Sequence, residues 1–278
     1  MRLSPLRLTA SRWARGLCST RFPQPPAPRT NLAGARDLTP ADLLKSRAFL
    51  GYEARLSHPT SYRYLLGNVS GHAIIDPEET MLALRKVMAF LKKVSFSGGK
   101  VLFVSTQPKL ARLTRVMGEQ SGHFYLARKW APGLLSNWEK KRLQVRKAVD
   151  LSPIAQRSGR IRQSDVQRSL DFKGIEAMMQ PPDCIVLLDS TNLHGEAAAQ
   201  NIPVVGVVDT DSMGRDIDYP IPANANSIRF YHTLAHLLIR TLREGGDLRS
   251  ELETYRAEGG DETGQSVGQR RRTGGRGR

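Results

Sequence analysis

Two aspartates, Asp209 and Asp211, stand directly after the apolar run PVVGVV. A carboxylate at the end of a buried strand, with a second acid two positions on, matches an aspartate nucleophile and its acid partner, so phosphoester hydrolysis is one chemical candidate. His232 and His236 are a second, because a spacing of four puts both imidazoles on one face of a helix, where a metal could bridge them. The third candidate is electrostatic. Residues 128–168 carry eleven basic side chains, Arg128, Lys129, Lys140, Lys141, Arg142, Arg146, Lys147, Arg157, Arg160, Arg162 and Arg168, against Glu139, Asp150 and Asp165 alone. Cations at that density suit a polyphosphate partner, since each neutralised phosphate releases counterions.

The catalytic candidates weaken on their surroundings. An aspartate-dependent phosphatase opens its fold with the D-x-D motif and draws a lysine and magnesium ligands from later strands. Here only one helix and a tail follow Asp209, which reads better as a short acid fixing the turn at a strand end. The histidine pair lacks both an H-E-x-x-H pattern and an obvious third ligand, so no metal is expected. Neither G-x-G-x-x-G nor G-x-x-x-x-G-K-[ST] follows any strand, so no nucleotide cofactor is expected. Cys184, within CIVLL, reads as a small buried hydrophobe, and with Cys18 it is too little for a disulfide framework. No serine, cysteine or lysine has a nucleophile motif around it. The sequence therefore points away from an enzyme.

The formal charge of +16 and pI near 10.3 are unevenly distributed. Residues 1–36 hold seven arginines and no acid, and a helix would separate Leu3, Leu6, Trp13 and Leu17 from much of that charge. This is the composition of a mitochondrial transit peptide, followed by the linker PQPPAP; a basic RNA-binding arm is the alternative. A mitochondrion is expected in preference to a chloroplast. Residues 259–278 are rich in glycine and arginine, end in RRRTGGRGR, and are expected to be a disordered tail, whose Arg270, Arg271 and Arg272 could order along phosphates. No stretch approaches the roughly 20 apolar residues of a membrane span, and no membrane partner is expected.

Between these ends, residues 37–258 alternate strand and helix. AIID at 73–76 reads as a short strand whose Asp76 caps the next helix, with Pro77 in the first turn and Glu79 completing a capping box. KVLFVST, CIVLLDS and PVVGVVDT are continuous apolar runs of strand length, as strands covered on both faces of a parallel sheet must be. HFYLARKW at 123–130 is a less regular strand, with a helix expected from Asn137. A last helix starts near Ser227, stripes Ile228, Tyr231, Ala235, Leu238 and Leu242 on one face, and is expected to stop before Gly245 and Gly246. The expected architecture is a doubly wound three-layer αβα sandwich, with the basic interval projecting from it as a helical insertion over 139–180.

The same residues resemble a known family, the universal small-subunit ribosomal protein S-two, over about residues 45–245. VVDTDSMGRDIDYPIPANANSIR resembles the family's V-D-T-N-S-x-P-x-x-V-D-x-x-I-P-G-N-D-D and the arginine beyond it. Lys129, Trp130, Gly133, Leu135, Asn137 and Trp138 resemble R-W-x-G-G-x-L-T-N-W. PPDCIVLLD with Glu196 and Ile202-Pro203, the equally spaced Gly51, Pro59 and Gly67, and IID with Thr80 add further matches. Tyr52 replaces a histidine, Pro132 and Ala223 replace glycines, Asp211 replaces an asparagine, the loop after Asp189 is about three residues short, and residues 139–180 match poorly. Divergence of this kind suits a mitochondrial ribosome. The resemblance implies a flavodoxin-like parallel sheet, no enzymatic activity, docking on small-subunit ribosomal RNA where head meets body, and contacts with neighbouring small-subunit ribosomal proteins. The expected RNA-binding residues are Arg128, Lys129, Trp130, Asn137, Lys140, Lys141, Arg142, Arg146, Lys147, Asn224, Arg229, Arg270, Arg271 and Arg272, with packing an equal expectation for Trp130 and Trp138. A free-standing organellar RNA-binding or assembly factor remains the alternative.

Overall fold

The structure, a computed structural model, describes residues 38–130, 132–146, 172–189, 194–212, 214 and 217–257. The expected transit peptide, most of the expected insertion and the tail lie outside the described residues.

Five strands form a parallel sheet: β4 Val101–Ser105, β5 Phe124–Ala127, β6 Cys184–Leu187, β7 Val204–Val208 and β8 Tyr219–Pro222. Their order, β5-β4-β6-β7-β8, is 2-1-3-4-5 by appearance, the flavodoxin-like order. Every residue of β4, β6 and β7 is buried, which explains their unbroken apolar sequences. Alternation divides the sheet's side chains between two layers. Leu102, Val104, Ile185, Leu187 and Val204 pack with Leu134, Leu135, Trp138, Val145, Ile175 and Met178 on one face. Against the other lie α2 Pro77–Phe96, α3 Ala111–Ser121 and a 30-residue final helix, Ile228–Ala257, that packs along both. Residues 138–146 form a helix (α4) and His194–Ala199 a short one (α5), so the final helix is α6; α1 is Pro40–Lys45.

The AIID strand belongs elsewhere. It is β3 His72–Ile75, the centre of a separate antiparallel sheet, β1-β3-β2, with β1 Leu50–Glu53 and β2 Leu65–Val69. Asp76 does cap α2, but its carboxylate accepts from Glu78 N at 2.8 Å instead of forming the reciprocal pair expected with Glu79. Thr80 Oγ1 then donates to Pro222 O at 2.7 Å in the core, tying α2 to β8.

The expected end of the last helix is wrong, for a packing reason: α6 runs straight through Gly245 and Gly246. A Cβ on Gly245 would lie 2.7 Å from Lys92 O and 2.8 Å from Ser95 Cβ. Glycine here lets α6 approach α2 closely, and Ser95 Oγ donates to Leu242 O at 2.6 Å across the contact. The helical hydrogen-bond ladder tolerates glycine at a cost of about 1 kcal/mol, which that contact offsets.

Candidate nucleic-acid interface

Parallel strands deliver all their C-terminal loops to one edge of the sheet, where a doubly wound fold binds its partners. Two acids organise that edge. Asp189, after β6, is 3% exposed, and its Oδ2 accepts from Gln107 N and Thr106 Oγ1 at 3.0 Å, from Ser105 Oγ at 3.2 Å and from Thr106 N. It thereby fixes the loop leaving β4. Asp209, after β7, is 2% exposed and accepts from Thr210 N at 2.7 Å and Ala225 N at 2.6 Å. Burial pushes its carboxyl up to about 6, against the two N–H bonds that lower it and with Asp211 raising it further. Thr210 next to it accepts Tyr52 N at 2.9 Å and, through its carbonyl, His58 N at 2.7 Å, so this node fastens the antiparallel sheet to the edge.

Both oxygens of Asp209 are thus held by backbone N–H groups of the turns it closes, while Asp211 is exposed. A nucleophile must keep an oxygen free for its substrate, so the geometry favours the turn-fixing role. His232 and His236 are exposed on α6, close enough that His236 helps lower His232, after burial. Among the described residues no group of three histidines, cysteines or acids could hold a metal. Cys184 is buried, and burial raises its thiol far above the usual range.

The cations are arranged differently. Arg128 leaves β5 with φ 80°, a left-handed backbone that costs a non-glycine residue about 1–2 kcal/mol. Its N–H donates to Ser105 O at 2.7 Å, and its side chain and that of Lys129 are exposed. Glu196 on α5 accepts Gly133 N at 2.7 Å and Leu135 N at 3.3 Å, which sets the turn into α4. Along α4, Lys140 and Arg146 are exposed and Lys141 and Arg142 half-buried, and none pairs with a described acid. Arg142 and Arg146 reach the Met179 sulfur at 3.5 and 3.6 Å. Asn137 is exposed. Trp138 is buried and donates Nε1 to Met179 O at 3.3 Å, and Trp130 packs half-buried against the same core, so both rings pack. Lys147 and Arg270, Arg271 and Arg272 lie outside the described residues.

At the other end of the edge, Arg229 is exposed in the first turn of α6, and Asn224 Oδ1 accepts Asn226 N at 2.8 Å, shaping the turn before it. Sequence reasoning missed three neighbours there. Asn226 Oδ1 accepts from Lys109 Nζ at 3.2 Å and its amide donates to Tyr52 OH at 2.7 Å, while Arg112 is exposed on the first turn of α3. The available signal was positional: Lys109 and Arg112 follow a parallel strand, so they must come out at the same edge as Arg128 and Arg229.

Fold and edge together define a doubly wound α/β protein that presents, at its C-terminal edge and along an adjoining helix, cations with no ion-pair partner among the described residues. Residues 43–245 match the family model for ribosomal protein S2. The chain is also 30% identical over 202 residues to the small ribosomal subunit protein uS2 of a Picosynechococcus species, a match covering 68% of this chain and 79% of that protein. This chain belongs to the ribosomal protein S2 family.

Proposed function

We propose that this protein is a structural constituent of the small subunit of a mitochondrial ribosome, gripping small-subunit ribosomal RNA where head meets body and catalysing nothing. The observation that carries the RNA-binding part is the set of exposed cations at 128–146 with no described acid partner, on a chain of this family. Desolvating an unpaired cation becomes favourable when a phosphate replaces the water, and such contacts grip folded RNA by shape without reading base edges. Lys109, Arg112 and Arg229 extend the same contact around the sheet edge. The seven arginines and absent acids of residues 1–36 support delivery to mitochondria. Neighbouring small-subunit ribosomal proteins are the expected protein partners.

Sucrose-gradient sedimentation of mitochondrial lysate tests the assignment. A subunit constituent follows the small subunit stoichiometrically and stays on it through a moderate-salt wash. Substoichiometric presence released by that wash identifies a free-standing RNA-binding or assembly factor, and absence from mitochondria overturns the localisation.

A further inference from the structure

Independently of RNA, we propose that the C-terminal ends of β4 and β6 together bind a hard, oxygen-seeking cation, with Asp189 Oδ1 and Gln107 Oε1 as its protein ligands. All the donors that reach Asp189 fall on Oδ2, and Oδ1 of this 3%-exposed residue is buried with no hydrogen-bond partner. Gln107, whose N–H meets that carboxylate at 3.0 Å, has its own side-chain oxygen buried and unpartnered. Among the described residues, two acceptors on residues bonded to each other therefore have nothing to accept from. Their surroundings are also negative. No described lysine or arginine pairs with Asp189, and Asp209, 2% exposed, ends the adjacent strand. The Tyr231 hydroxyl, bonded to Leu188 O, lies close enough to both carboxylates to be raised by them, after burial.

A buried water would satisfy the two acceptors but leave the carboxylate held by hydrogen bonds alone, whereas buried charges are normally paired or coordinate a cation as well. The donors are a carboxylate and an amide oxygen, which suits magnesium or potassium and not the nitrogen and sulfur sites of zinc. Two protein oxygens leave room for retained waters, as magnesium prefers. The position between β4 and β6 is the topological switch point, where this fold type places its ligands.

The test uses full-length, RNA-free protein stripped with chelator, with its Tm followed while Mg2+ or K+ is titrated at an ionic strength held constant by tetramethylammonium chloride. A Tm rise that saturates with at least one of the two cations is expected, since a ligand held only by the folded state stabilises it. Gln107→Leu removes Oε1 while keeping the N–H that holds Asp189, and is expected to weaken the midpoint by about tenfold or more with an unchanged far-UV spectrum. Asp189→Asn is expected to abolish the response; because Asp189 also holds the 105–107 loop, Gln107→Leu is the deciding variant. No response to either cation in the wild type, or the same midpoint in Gln107→Leu, overturns the proposal and assigns the two oxygens to a buried water.

Discussion

The final helix beyond Arg229 and the segment 128–146 are both rich in basic side chains, yet they use them differently. Along α6, five arginines face four acids, and two of those acids are engaged: Glu244 holds both Arg240 at 2.9 Å and Lys92 at 3.3 Å, and Arg249 pairs with Glu253 at 2.7 Å. Over 128–146, six basic residues face Glu139 alone, and none of the ion pairs among described residues falls there. Exposed pairs contribute about 0–1 kcal/mol each, so those on α6 do little beyond offsetting charge along that helix. Cations without an acid partner among the described residues keep their potential for phosphate. What separates the two regions is the availability of charge, and net charge alone would not have revealed it.

Reversing charge on each side breaks the comparison most severely. Lys129→Glu, Lys140→Glu and Arg146→Glu together are expected to weaken binding to small-subunit ribosomal RNA on the order of 100-fold in filter binding, and to flatten the dependence of log K on log salt by about 0.7–0.9 per lost phosphate contact. Arg249→Glu on α6 is expected to change affinity by less than about twofold in the same assay.

Positioning comes next. Glu196 is the group that orients the turn into α4, so Glu196→Ala strands two backbone N–H groups and is expected to cost about 1.5–3 kcal/mol in urea unfolding. It should weaken RNA binding too, although Glu196 itself is an acid. A smaller effect sharpens the account of α6: Gly245→Ala must push against Lys92 O and is expected to cost about 1–3 kcal/mol by chemical denaturation. Gly246→Ala meets only Ser95 Oγ at 3.7 Å and is expected to be neutral or to gain up to about 1 kcal/mol of helix propensity.

The last effect, a pH dependence, concerns Asp209. Its folded-state carboxyl, pushed up to about 6 from 3.8, binds its proton more tightly than the unfolded chain does. That contribution is therefore complete below about pH 4, is lost as pH rises to about 6, and is flat above, with a slope of at most about 1.4 kcal/mol per pH unit. Unfolding free energies measured across pH 4–7 should show this fall in the wild type and lack it in Asp209→Asn.

Much of the scaffold was legible from residues alone. β4, β6 and β7 announce themselves because strands covered on both faces must be apolar throughout, and Asp76-Pro77 marks the start of α2 because cap chemistry is local. β8 was illegible: Pro220 and Pro222 argue against a strand, and only its place at the sheet edge, where missing N–H groups go unneeded, accommodates them. Gly245 misled for the opposite reason, since its neighbour Lys92 is distant in sequence. The candidate site divides in the same way. The run 128–146 is dense enough to read directly, whereas Lys109, Arg112 and Asn226 join it only because parallel topology brings separate strand ends to one edge.

Crosslinking of the protein to RNA in intact mitochondria, with sequencing of the attached RNA and mapping of the crosslinked peptides, tests the central claim most directly. The account predicts small-subunit ribosomal RNA joined to peptides from 128–146 and from the edge at Lys109, Arg112 and Arg229. Crosslinks to other RNAs alone, or to ribosomal RNA only through the paired face of α6, would contradict it.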